Sequence, residues 1–264
     1  MSDTLAERWQ TAIETDDVEG ARHLLSETPN LINQRLIEHR RDGTWFVLNP
    51  LMVACDRNNL PMARLLVEAG ADVRARNPDG GGIALSNSCA PDLLDYLIAQ
   101  GADVDGLGYN NSTPMMLAAY AGNLEAVKNL LQRGADVNIV QQPLGETALH
   151  RAAFCTPAAR GSDPDTDFSD RPYSEIVRVL VEAGAAVNAR ASRGVESHMG
   201  PIVLQGETPL HFAAAYGDLE MVSCLMAAGG DPTIPNGRGE TPRNWAAEHA
   251  REDDIVATLS APRG

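Results

Sequence analysis

The sequence predicts an all-α fold, a solenoid in which similar pairs of helices stack one after another. Two observations support this prediction. In three segments an opening Thr or Asn is followed 21 residues later by a glycine: Asn49 and Gly70, Thr113 and Gly134, Thr208 and Gly229. Closing glycines at 70, 101, 134, 184 and 229 then give a period of 31 to 33 residues with two expansions. Because one helix pair cannot bury its own apolar faces, neighbouring pairs must stack.

The segment 206–234 shows how one repeat forms. Thr208 fits the position before the first helix, where its side chain accepts from free N–H groups, and Pro209 fits the first helical position. Apolar residues at helical spacing then give the second helix a buried stripe: Leu219, Met221, Val222 and Leu225. Gly229 ends that helix, since glycine adopts a positive φ at little cost. A polar turn leads to the next repeat.

The pattern resembles the ankyrin repeat, a unit of about 33 residues with T-P-L-H-x-A near its start. Residues 208–213 match this motif fully, and residues 147–152 match it except at Pro. Residues 113–118 and 49–54 match it in part. The resemblance covers nearly the whole chain. It implies an ankyrin-repeat solenoid with short β-hairpin fingers and about seven repeats, including two atypical caps.

We predict one continuous domain over residues 1–264. Within it the departures from the period define five segments: an N-terminal cap at 1–33, an extended finger at 34–48, an acidic insertion at 154–173, a second extended finger at 187–207 and a C-terminal cap at 236–260. Asp42-Gly43 in the first finger is a strong hairpin turn signal. The third repeat is glycine-rich where its first helix should lie, so we expect that helix to be brief or irregular.

The composition limits the classes of partner. The net charge of −15 repels phosphate backbones and anionic lipid surfaces, so we predict neither a nucleic-acid nor a membrane partner. The four cysteines are scattered and lack the spacing of a zinc site. The first ten residues are polar and acidic, unlike a secretion signal, which favours a cytoplasmic location.

The ankyrin resemblance implies that three positions of each first helix face a concave groove. Eight of the twelve aromatic residues fall at these positions or in the fingers. The predicted ligand-binding groove contains Trp45, Tyr109, Tyr120, Arg151, Phe154, Phe212, Tyr216 and Trp245. Aromatic anchors with Arg are typical of recognition hot spots, and we expect Arg57 and Arg151 to be the polar anchors. This predicts a non-catalytic module that binds a protein segment. The alternative is aromatic packing between the inserted loops and the first helices.

A second hypothesis is an enzyme or a small-molecule site roofed by the insertions. Its acid-base candidates are Asp56, His198, Glu248 and His249, which the repeat does not require. His150 and His211 occupy the motif position, where we expect them to hydrogen-bond neighbouring backbone turns. The chain contains no HExxH and no G-x-S-x-G motif, so no reaction is indicated.

The acidic insertion resembles the start of a calcium-binding loop. Alternating aspartates fit D-x-D-x-D: Asp163, Asp165 and Asp167, with Asp170 nearby. The loop then requires glycine, where this chain has Phe168. We therefore predict no cofactor and a solvated acidic loop, with calcium as the alternative.

Overall fold

The structure is a computed structural model. It describes residues 4–39, 45–76, 84–87, 90–108, 111–154, 171–191, 194–197, 200–203, 205–249 and 251–260. The chain divides into two compact units, Met1–Pro114 and Met115–Gly264. The prediction of one continuous domain over both of them stays a prediction.

In the first unit, the described residues form five α-helices, two 3-10 turns and one hairpin. The α-helices are α1 Leu5–Glu14, α2 Val18–Glu27, α3 Pro50–Asp56, α4 Leu60–Glu68 and α5 Pro91–Ala99, with 3-10 turns at Pro29–Asn33 and Ala84–Asn87. Strands β1 Leu36–His39 and β2 Trp45–Leu48 pair antiparallel, with Leu36 opposite Leu48, inside the segment predicted as the first finger. A 3-10 turn at Ala84–Asn87 precedes α5. Residues 77–83 and 88–89 on either side of it lie outside the described residues, so the expectation of a brief or irregular first helix in the third repeat stays a prediction.

In the second unit, the described residues form four helix pairs and one hairpin. The helices are α6 Pro114–Ala121, α7 Leu124–Gln132, α8 Ala148–Phe154, α9 Tyr173–Glu182, α10 Pro209–Tyr216, α11 Leu219–Ala227, α12 Pro242–Glu248 and α13 Asp253–Thr258. Strands β3 Gly194–Ser197 and β4 Gly200–Val203 pair antiparallel within the predicted second finger. The predicted all-α class with short hairpins is confirmed.

Helix boundaries follow from capping residues and glycine. The side chain of Asn123 accepts from the Ala126 N–H at 3.0 Å before α7, and Asp218 accepts from the Met221 N–H at 2.7 Å before α11. Each satisfies an N–H group that the first helical turn leaves without a partner. After the same two helices, Gly134 and Gly229 have φ of 81° and 91°, a conformation that other residues adopt only with strain.

Small residues let the first helices of successive repeats pack closely. Helix α10 contacts both α8 and α12. Its Ala213 and Ala214 are fully buried, as are Ala152 and Ala153 of α8. Since an alanine side chain projects little from the helix surface, the backbones of neighbouring first helices can approach one another. The helices therefore bring one position of each repeat next to the same position of the next.

The helices are short. Helices α1 and α9 have ten residues each, whereas crossing a bilayer takes about 20 apolar residues. Within the described ranges, no helix combines the length and the apolar character needed to span a membrane. The cytoplasmic location stays a prediction.

Candidate functional site

A series of side-chain contacts joins the first helices of the second unit: ring pairs join α8, α10 and α12, and the Arg151 guanidinium of α8 lies over the Tyr120 ring of α6. We call it the aromatic row and define it by Tyr120, Arg151, Phe154, Phe212, Tyr216, Trp245 and His249. Phe154 meets Phe212 and Tyr216 edge to face, with ring centroids 5.4 and 5.9 Å apart. Phe212 meets Trp245 at 5.7 Å, and Tyr216 meets His249 at 5.0 Å. Edge-to-face pairs at these distances are favourable, so the rings hold one another in place.

Exposure separates the floor of the aromatic row from its surface. Phe212 is only 3% exposed and lies against Phe154 and Trp245, so it supports the row and offers a ligand almost no surface. Tyr120 is 38% exposed, and Phe154, Tyr216 and Trp245 are half-buried. Partial burial raises the pKa of the Tyr216 hydroxyl. Four of the predicted aromatic contacts therefore keep accessible surface.

Arg151 is paired within its own repeat. Its Nη2 lies 2.8 Å from Oε2 of Glu146, a residue that is only 5% exposed. Burial raises the pKa of Glu146, and the charge of Arg151 partly offsets that effect. The guanidinium also lies over the Tyr120 ring, 5.7 Å from its centroid. The other expected polar anchor, Arg57 in the first unit, forms an ion pair with Asp16 at 3.0 Å. Both guanidinium groups are thus engaged by the chain itself.

Trp245 is oriented by a carboxylate. Its indole Nε1 donates to Oε2 of Glu240 at 3.1 Å, and Nδ2 of Asn236 donates to the same oxygen at 2.9 Å. The hydrogen bonds from Asn236 and Trp245 lower the pKa of Glu240, which keeps this carboxylate ionised at neutral pH. Asn236 is itself buried and also donates to Glu207 at 3.2 Å. A hydrogen-bonded turn therefore fixes the ring and places a negative charge beside it.

The two motif histidines are structural. Nδ1 of His150 accepts from the Thr147 N–H at 3.1 Å, which leaves Nε2 to donate to the Glu207 carbonyl of the next repeat at 3.2 Å. Burial lowers the pKa of His150 to about 4, so the ring is neutral at pH 7. His211 repeats the arrangement with Thr208 at 3.0 Å and Glu240 at 3.1 Å, and burial lowers its pKa too.

Among the residues that the structure describes, the remaining predicted site residues do not lie together. Trp45 lies in β2 of the first unit, opposite His39. Asp56 is exposed at the end of α3, and Glu248 is exposed at the end of α12. Five predicted site residues and one acid-base candidate lie outside the described residues: Tyr109, Asp163, Asp165, Asp167, Asp170 and His198. Across the part of the chain that the structure describes, no three His, Cys, Asp or Glu side chains are grouped as metal ligands.

Sequence reasoning missed the two glutamates that hold the row. Glu146 and Glu240 each stand directly before the opening Thr of a repeat and reach the residue five positions later, Arg151 or Trp245. The signal was present, since Gly-Glu-Thr occurs at 145–147, 206–208 and 239–241. A spacing of five across a helix start is not one of the periodicities that mark a helix face.

Comparison with known proteins agrees with this architecture. A family model described as "Ankyrin repeats (3 copies)" matches residues 82–191 and 169–263, and one described as "Ankyrin repeats (many copies)" matches residues 36–86. Ankyrin repeat and SOCS box protein 16 of Homo sapiens is 29% identical over 268 residues, covering 89% of this chain and 55% of that protein. Palmitoyltransferase ZDHHC13 of Homo sapiens is 32% identical over 200 residues, covering 71% and 32%.

B-cell lymphoma 3 protein homolog of Mus musculus is 30% identical over 213 residues, covering 78% of this chain and 41% of that protein. The chain thus spans about half, or less, of the length of these relatives. The family matches, in contrast, cover most of the chain, and they agree with the repeated helix pairs and the motif histidines that tie one repeat to the next. The chain belongs to the ankyrin-repeat family.

Proposed function

We propose that this protein is a non-catalytic binding module that recognises a segment of another protein through the aromatic row of its second unit. Ankyrin repeats generally mediate protein–protein interaction. The observation that supports the row as the site is its set of partly exposed rings on consecutive first helices: Tyr120, Phe154, Tyr216 and Trp245. A structural role alone would not require these large rings to keep accessible surface.

The row is suited to binding because its rings are already fixed. Tyr and Trp are the residues most enriched in interface hot spots, since each buries a large area with few rotatable bonds. Here the edge-to-face contacts and the hydrogen bond from Trp245 to Glu240 restrict those bonds before any ligand arrives. Binding therefore loses less conformational entropy than it would with mobile side chains.

The geometry favours binding over catalysis. The Nδ1 atom of His249 lies 2.9 Å from the carbonyl of Trp245 in its own helix, whereas an activated imidazole is usually oriented by a carboxylate. One relative is named as a palmitoyltransferase, but this chain matches only 32% of that protein's length. An enzyme or small-molecule site built on Asp56, His198, Glu248 and His249 stays a hypothesis.

The test is a quantitative affinity capture from the protein's own cells with three variants. Tyr216→Ala and Trp245→Ala remove accessible rings of the row. Leu219→Ala is the matched control: the prediction that Leu219 belongs to the buried stripe of α11 was wrong, since it is 37% exposed at the first position of that helix, and it lies outside the row. We expect one partner whose recovery falls about tenfold in both ring variants, a typical hot-spot loss, and is unchanged in the control. Recovery of the same partners at full yield by both ring variants would contradict the proposal.

A further inference from the structure

The charged side chains around the aromatic row are not equally available to a ligand. Arg151, the row's arginine, is neutralised by Glu146 at 2.8 Å and lies against Tyr120. Near Trp245, by contrast, Glu240 lies at the indole nitrogen and Glu248 is exposed on the same helix. A ligand therefore meets carboxylates at the Trp245 end of the row and a compensated guanidinium at the other.

The helix geometry decides which charges of α12 accompany Trp245. Glu248 follows Trp245 by three residues, and residues three apart on a helix are neighbours on one face. Arg243 precedes Trp245 by two residues, and residues two apart point to different faces. The exposed Arg238 lies in the turn before Glu240, and its charge also lowers the pKa of that carboxylate. Arg251 is half-buried, and its guanidinium donates to the Gly217 carbonyl next to Tyr216. Glu240 and Glu248, against the exposed Arg238, thus leave the accessible surface at this end of the row acidic.

We propose that the segment bound by the aromatic row is basic. A lysine or arginine of the partner lays its aliphatic stem across the accessible rings of Tyr216 and Trp245 and brings its charge to Glu248 and Glu240. This assignment rests on the proposed function of the row as a protein-binding site.

Two physical effects support this occupant. An aromatic face attracts a cation, and the long stems of lysine and arginine cover apolar surface while their charged ends reach polar groups. The net charge of −15 also attracts basic segments over longer distances and raises their association rate at low salt. An acidic segment would face Glu240 and Glu248 with Arg151 already paired, so the row selects against it by repulsion.

The experiment uses three fluorescein-labelled peptides that differ only in charge. Each has three leucines alternating with two variable positions, which are lysine, glutamine or glutamate. Fluorescence anisotropy at pH 7.5 and low salt gives the affinity of each peptide for the full chain. We expect the lysine peptide to bind about tenfold more tightly than the glutamine peptide, and the glutamate peptide to bind most weakly.

Two charge variants locate the effect. Glu248→Gln should reduce the preference for lysine over glutamine several-fold. Glu220→Gln removes the same charge from an exposed site on α11 and should leave that preference unchanged. Equal reductions in the two variants would show a general attraction to an acidic protein and would overturn the inference.

The ring variants separate this inference from the proposed function. Trp245→Ala should weaken binding of the lysine peptide about tenfold. If binding requires Trp245 but shows no preference for lysine, the basic occupant is wrong and the protein-binding row stands. If no peptide's affinity depends on Trp245 or Tyr216, both the row and its occupant are wrong.

Discussion

Helices α8 and α12 are the first helices of two repeats, but different side chains accept the N–H group at their starts. Each opens with a Thr whose N–H is received by a side chain three residues later. In α8 the acceptor is Nδ1 of His150, at 3.1 Å from the Thr147 nitrogen. In α12 it is Oδ1 of Asn244, at 2.8 Å from the Thr241 nitrogen. An imidazole therefore accepts this N–H in α8, and an amide accepts it in α12.

The difference lies in what the side chain does next. His150 is fully buried, and its second nitrogen donates to the carbonyl of Glu207 in the following repeat at 3.2 Å. Asn244 is exposed in the last repeat that the structure describes, and its Oδ1 accepts from both the N–H and the hydroxyl of Thr241, each at 2.8 Å. A histidine at this position is thus required by the next repeat rather than by its own helix.

The largest effect is expected when α8 is given the amide of α12. His150→Asn keeps an acceptor for Thr147 but removes the donor to Glu207 and leaves unfilled volume in a buried site. We expect the free energy of unfolding to fall by about 3 kcal/mol, measured by urea denaturation.

The reverse exchange is the control. Asn244→His places an imidazole at an exposed position of α12 and should change the free energy of unfolding by less than about 0.5 kcal/mol. Similar losses in the two variants would show that the bond to Glu207 contributes nothing beyond capping.

The free energy of unfolding should depend on pH because the imidazole of His150 is buried. Folding holds the pKa of His150 at about 4, below its usual 6.5, because burial disfavours the charged ring. Between these values the unfolded chain binds a proton that the folded chain does not, so stability falls as the pH decreases from about 6.5 to 4. The two pKa values differ by about 2.5, and each pKa unit corresponds to about 1.4 kcal/mol, so the loss approaches about 3.5 kcal/mol.

Urea denaturation at a series of pH values in wild type and His150→Asn isolates this contribution. The difference between the two curves should shrink as the pH falls. His211 shifts in the same direction and Glu146 in the opposite one, but both are present in both proteins. A difference that stays constant with pH would contradict a neutral buried His150.

The sequence predicted the scaffold better than the contents of the row. Spacing located the helix starts and the glycines, because a capping Thr and a positive-φ glycine are dictated by the local chain itself. The burial of Phe212 was not predictable in this way, since it depends on the large rings of Phe154 and Trp245 in adjacent repeats. The pairing of Arg151 was also missed, and with it the fact that this arginine is not available as an anchor.

The two glutamates that serve the row give a smaller comparison. Glu146→Gln removes the partner of a guanidinium whose side chain is only 19% exposed, and we expect a loss of about 1 to 2 kcal/mol in urea denaturation. Glu240→Gln removes a charge beside a neutral indole, so its urea midpoint should move less.

NMR of the indole N–H of Trp245 measures the second effect directly. Its resonance, assigned by loss in Trp245→Phe, should shift in Glu240→Gln because the hydrogen bond loses its charged acceptor. An unchanged resonance would mean that Glu240 does not orient the ring. A larger loss of stability in Glu240→Gln than in Glu146→Gln would reverse the ranking of the two contacts.

The bond from a motif histidine to the next repeat has an evolutionary consequence. His150 donates forward to Glu207, and His211 donates forward to Glu240, so each such repeat brings one donor for its successor and one carbonyl for its predecessor. Duplication or loss of a whole repeat therefore leaves the inventory of buried donors and acceptors balanced. Copy number can change by recombination without orphaning a polar group, whereas a partial duplication that separated the histidine from the following Gly-Glu-Thr would be penalised.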